Sequence, residues 1–227
     1  MNRIAIYSVS LSPITKWLVL WLIAACMLIG ISSPVFANDS LFAPPQRSKP
    51  TREILLVSTR PLGTSCQTEQ IRQKLVCKRL EINESGKSTW ELVPWQHAAS
   101  PAGNTPTVIY VHGNRVEPRE DVFRGMKVYR SLVKARSANQ PLRFIIWSWP
   151  STPIKGPIKD VHVKAARTRP AGWQLAWFLD QLPADSDVAI LGYSFGARVV
   201  SGSLHLLGGG RLGNLQLAER MHPQREP

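Results

Sequence analysis

The sequence predicts an α/β fold, a mostly parallel sheet with crossover helices, and two observations carry the prediction. From Thr107 onward, three short apolar, β-branched runs alternate with three segments of helical periodicity. Strand, helix, strand, helix in series brings each strand back parallel to the last, with the helices covering the sheet. The chain has 227 residues and is 44% apolar, which suits one domain with a small appendage and argues against wholesale disorder.

The first forty residues stand apart. Arg3 and Lys16 are the only charges before Asp39, and the fifteen residues "WLVLWLIAACMLIGI" follow Lys16. Val35 and Ala37 occupy the −3 and −1 positions of a small-residue cleavage site, so residues 1–37 read as a secretory signal peptide. Two other readings share the same residues. Ile23-Ala24-Ala25-Cys26 is a lipobox-like run that would lipidate Cys26, and an uncleaved segment would serve as a membrane anchor. All three export the globular part to a periplasmic or extracellular compartment, with membrane association through this segment. Loss of 1–37 leaves Cys66 and Cys77, eleven residues apart, and an even count in an oxidising compartment predicts a disulfide between them.

Residues 38–52, rich in Pro and polar groups, read as a linker. Residues 53–106 read as N-terminal antiparallel strands: "EILLVSTR" (53–60), "LVCKRLEI" (75–82) and "STWELVPW" (88–95), followed by a loop over 97–106. Residues 107–227 then form the partial core. "TVIYVHG" is its first strand, and Val122, Met126, Tyr129, Leu132 and Val133 set a helical face behind it. "LRFIIWSWP" is a strand stopped by Pro150, and "RPAGWQLAWFLDQLP" a second helix. "DVAILGYS" and "FGARVVSGSLHLL" complete the series, the last helix ending at Gly208-Gly209-Gly210. Trp147, Trp149, Trp173 and Trp177 are read as core residues.

Gly192-Tyr193-Ser194-Phe195-Gly196 sits between the last apolar strand and its helix, and fits G-x-S-x-G. A serine on a sharp strand-to-helix turn takes strained backbone angles, leaves no room for bulky residues two positions either side, and projects Oγ above the sheet. Such a turn also aims the Phe195 N–H at the place where an oxyanion would form. Ser194 is therefore the candidate nucleophile, with Gly192 and Gly196 as the elbow glycines.

With "YVHGN", "IIWSWPS" at residues 145–151, and Asp160 followed by Ala165-Ala166, the segment 107–210 resembles the α/β-hydrolase superfamily. Within it the chain is most similar to a bacterial branch of predicted serine esterases, lipase-like hydrolases of undefined substrate. One departure is Tyr193, where that branch commonly has His. The resemblance implies a second oxyanion-hole N–H after "YVHG", from Asn114, and a small-molecule or lipid ester substrate; it implies no cofactor and no metal. It also implies an acid and a histidine on loops after later strands.

The residues after Ser194 carry no further buried strand, so the fold is expected to lack the C-terminal strands, and the elbow strand to keep an open edge. His205 lies along the elbow helix at about 16 Å from the serine. His222 lies in a polar tail. Asp160 and His162 read as lying in a loop at the carboxyl end of the sheet, where a displaced dyad using His162 is the disfavoured alternative, and His112 is expected to order the oxyanion loop. Serine ester hydrolysis through an acyl-enzyme is the leading reading, and a non-catalytic hydrolase-fold binding module the alternative. The net charge is +13, but the basic residues are scattered and not interleaved with aromatics, so a basic surface without a nucleic-acid site is expected.

Overall fold

A computed structural model describes residues 4–8, 52–82, 85–101, 105–135 and 140–217. The apolar run after Lys16, Cys26, nearly all of the predicted linker and His222 lie outside them.

The elements run β1 (Ile4–Ser8), β2 (Arg52–Ser58), α1 (Thr68–Lys74), β3 (Val76–Ile82), β4 (Ser88–Val93), α2 (Trp95–Ala99), β5 (Thr107–Val111), α3 (Glu120–Ala135), β6 (Leu142–Ser148), α4 (Pro157–Asp180), β7 (Val188–Tyr193) and α5 (Phe195–Leu207). They build one mixed sheet in the order β1-β7-β5-β6-β2-β3-β4. Its centre, β7-β5-β6-β2, is parallel. The flanks are antiparallel: β1 on β7, and the β3–β4 ladder on β2. The mixed α/β architecture with crossover helices is the predicted fold class and is compatible with a hydrolase-like fold.

Strand alternation sorts side chains into two layers. Leu55, Val57, Ile109, Val111, Ile145 and Trp147 point toward α1, α2, α4 and α5. Ile54, Val108, Tyr110, Phe144 and Ile146 point toward Met126, Tyr129, Leu132 and Val133 of α3. Every residue of β5 and β6 is buried, as expected of central parallel strands covered on both faces. Trp147, Trp149, Trp173 and Trp177 are core residues, as read from the sequence.

Four differences from the sequence reading matter. Residues 68–74 form a helix, and 95–99, read as strand end and loop, form a short helix after Pro94 that buries Ala98 and Ala99. α4 begins at Pro157, twelve residues before the predicted start, and runs through Pro170. β7 does not present an open edge: Ile4–Ser8 pairs along it, Ile4 opposite Tyr193 and Ser8 opposite Ala189. Cys66 and Cys77 stand as free thiols, Cys77 buried in β3 and Cys66 in the loop before α1. Burial pushes both thiols up, to about 11 for Cys66 and about 12 for Cys77, where Arg143 pulls weakly the other way.

Candidate active site

Adjacent parallel strands β5 and β7 send their following helices to opposite faces of the sheet, α3 to one and α5 to the other. Strands that part their helices in this way mark, at their carboxyl edge, the position where open α/β sheets bind ligands. The loop after β5 carries His112 to Arg115, and the turn after β7 carries Ser194.

Ser194 joins β7 to α5 with φ 53° and ψ −118°, a left-handed conformation that a non-glycine residue adopts only under constraint. The two glycines explain how the turn closes. A Cβ on Gly192 would sit 2.6 Å from Ala197 Cα, and one on Gly196 would overlap the carbonyl oxygens of Val111 and His112. Gly113 is less tightly placed, but its Cβ would still lie 3.0 Å from the Tyr193 ring and 3.3 Å from Ser194 Cβ. The loop after β5 therefore rests directly against the serine. Ser194 itself is exposed. The Phe195 N–H opens α5, in the turn whose amides have no intrahelical acceptor. Asn114 follows Gly113 by one residue in the same loop.

His112 fixes that loop. Its Nδ1 lies 2.9 Å from Gly113 O, and since a carbonyl only accepts, Nδ1 carries the proton. Nε2 then accepts from the Trp149 N–H at 3.3 Å, and the Trp149 indole N–H donates to His112 O at 2.8 Å. The two rings stack with centroids 5.9 Å apart. Complete burial pulls the imidazole down to about 4, against the bond to Gly113. His112 fixes the loop after β5, and with both ring nitrogens engaged it has none free to act as a base.

The carboxylate of Asp160 lies in the first turn of α4, not in a loop, and is fully buried. It accepts from the Asn114 side-chain amide at 2.8 Å and from the Ile154 N–H at 2.9 Å. Lys164, one helical turn on, approaches it at 3.5 Å and donates to Thr152 O at 2.5 Å, and Arg115 stands 3.8 Å away. Burial pushes the Asp160 carboxyl up, but these donors outweigh it and hold the group below its ordinary value. Burial also lowers the Lys164 ammonium, with Asp160 opposing. Asp160 thus clamps the loop after β5 to α4 and to the loop after β6. The disfavoured displaced dyad does not form: His162, two residues on, faces solvent, because i and i+2 point to different sides of a helix.

The remaining described histidines are also elsewhere. His205 Nε2 accepts from the Arg211 N–H at 3.1 Å beyond the end of α5, and His97 bonds Glu53 at 2.7 Å. Among the described residues no histidine or carboxylate hydrogen-bonds Ser194, and no group of three His, Cys, Asp or Glu is placed to hold a metal.

The sequence reading missed a polar cluster at the same edge of the sheet, after β2 and β6. Ser148 Oγ donates to Asp121 at 2.5 Å and receives Arg60 Nε at 2.7 Å, while Arg60 also reaches Val116 O at 2.9 Å and Thr152 Oγ1 at 3.0 Å. These residues lie far apart in the chain, with no shared spacing to reveal them. Comparison with known proteins adds no relative: no family model, no curated protein and no solved structure matches this chain.

Proposed function

We propose that this protein is a serine ester hydrolase of the α/β-hydrolase type, acting on a small-molecule or lipid ester, with Ser194 as nucleophile. The observation that carries the reading is the strained, exposed Ser194 at the strand–helix turn, with Gly192 and Gly196 closed against backbone. A non-glycine residue held at positive φ marks a position the surrounding structure over-determines, and such strain clusters at active sites.

Ser194 Oγ attacks the acyl carbonyl carbon, and the oxygen of that carbonyl gathers negative charge. The N–H groups of Phe195 and Asn114 stabilise it, the first helped by the N-terminus of α5. Collapse breaks the bond to the alkoxy oxygen, which leaves as the alcohol on taking the proton given up by Ser194. Water then cleaves the acyl-serine to a carboxylic acid and restores the hydroxyl. The proton carrier is a group outside the described residues, where His222 is the remaining histidine. Export through residues 1–37 belongs to the same reading, as does membrane association where that segment is retained.

The absence of a base beside Ser194 among the described residues favours a second reading, a hydrolase-fold module that binds without turnover. One experiment separates the two: intact mass of the natively expressed protein before and after a fluorophosphonate that acylates activated serines. One adduct, lost in Ser194→Ala, is expected for the hydrolase. No adduct on a folded protein would overturn it in favour of binding alone. The starting mass also reports whether residues 1–37 have been removed.

A further inference from the structure

The α3 side of the sheet is covered unevenly. The helix lies over β5 and β6, while beyond them β2, β3 and β4 turn part of this face to solvent. Against the first turn of α3 this leaves a cavity of about 540 Å³, lined by apolar Leu56, Val76, Trp90 and Val122 and by cationic Lys78 and Arg119. Its size falls within the range of small-ligand pockets. The apolar floor continues outward. Leu92 pairs with Lys78 across the β3–β4 ladder, and Ile82 lies on the same face two pleats along. They are 75% and 67% exposed.

The charges in this cavity are unbalanced. Asp121 in its wall is paired from within by Arg60, 3.4 Å away, and accepts a hydrogen bond from Ser148. Neither Lys78 nor Arg119 has an ion-pair partner among the described residues. Arg119 is also held at φ 78°, a conformation an arginine does not choose freely. An apolar surface with two cations that lack an ion-pair partner set into it, Lys78 between Leu56 and Leu92, is complementary to one kind of molecule, a chain with an anionic head.

We propose that this cavity binds a single-chain anionic amphiphile, a long-chain carboxylate, with its head on Lys78 and Arg119 and its chain over Trp90, Leu56 and Leu92. The site lies at β2 and β3. It is separated from Ser194 by the width of three strands, roughly 14 Å. Binding there does not require Ser194 to react, so the inference stands apart from the hydrolase reading.

The test is calorimetric titration of the full chain with dodecanoate below its micelle concentration. One equivalent is expected to bind, and dodecanol or dodecyltrimethylammonium to bind at least about tenfold more weakly, for want of a charge-assisted hydrogen bond. The double variant Lys78→Gln, Arg119→Gly should lose about tenfold or more in affinity for dodecanoate. Glycine suits the φ of Arg119 and Lys78 is half-exposed, so the fold should survive, with the far-UV circular dichroism as control. Ser194→Ala should bind as the parent does. Equal binding of dodecanol, or of dodecanoate by the double variant, would overturn the proposal. Loss of binding in Ser194→Ala would move the ligand to the serine. Capture by phosphatidylglycerol vesicles without binding of monomeric dodecanoate would make this face a membrane-docking surface instead.

Discussion

A histidine that serves a nucleophile needs one ring nitrogen free to take its proton, and both nitrogens of His112 are committed, to Gly113 O and to the Trp149 N–H. The residue fixes the loop after β5 by staying neutral, and its neutrality has a measurable cost. In the unfolded chain the imidazole titrates near 6.5, whereas in the fold it is held down to about 4. Between these values the unfolded state binds the extra proton, so stability is full above about pH 6.5 and falls as the pH drops toward 4. The loss amounts to about 3 kcal/mol across that window. Urea unfolding at intervals from pH 7 to pH 4.5 should show that decline, and His112→Gln, whatever its absolute stability, should show a flatter one. An equal decline in the variant would assign the proton uptake to other groups. Ser194 makes a related point, since its strained φ is tolerated because β7, α5 and the Val111–His112 carbonyls leave the turn no other course.

At the scale of elements, α4 is where charge and packing meet. Asp160, Lys164 and Thr168 recur every four residues and form the buried stripe of its first three turns, before Gly172, Leu175 and Leu179 continue it as an apolar one. A helix that buries an ion pair must keep both partners, since removing one leaves the other uncompensated. Asp160→Ala should therefore cost about 3 kcal/mol or more in urea unfolding. It should also speed amide exchange at Asn114 and Arg115, whose loop the carboxylate holds. Unchanged exchange there would mean that His112 fixes the loop alone. The same stripe explains what the sequence could and could not yield. β5, β6, β7, α3 and α5 were legible because their buried faces are apolar and periodic, and the Ser194 turn because its glycines are sterically forced. The front half of α4 was not, because its buried face is polar and Pro170 imitates a helix start, so Asp160 and His162 read as neighbours in a loop. Of the site, Ser194, Gly192, Gly196 and the loop at Asn114 could be placed from local pattern. The Arg60–Asp121–Ser148 cluster could not, because only the sheet order brings β2, β6 and α3 together.

For the whole molecule, the N-terminal residues meet two demands that exclude one another. Residues 1–37 carry the pattern of an export signal, yet Ile4–Ser8 pairs along the outer edge of β7, the strand that delivers Ser194. A segment removed on export cannot also cover that edge in the mature chain. An uncovered strand edge presents a row of unpaired N–H and C=O groups, a template for any other strand. The basic surface opposes association, but at the net charge of +11 left to residues 38–227 once Arg3 and Lys16 are gone, its repulsion is screened beyond about 10 Å in 0.1 M salt, while strand pairing acts at contact. A chain beginning at Asn38 should therefore self-associate in a concentration-dependent way in sedimentation velocity. A peptide of residues 1–10, MNRIAIYSVS, should suppress the association by taking the place of β1. Suppression by the peptide but not by its Ile6→Pro form, which lacks a ladder N–H, would tie the effect to strand pairing. A chain from Asn38 that stays monomeric at every concentration would show that the β7 edge needs no strand from residues 1–10, and the two demands on the N-terminus would no longer conflict.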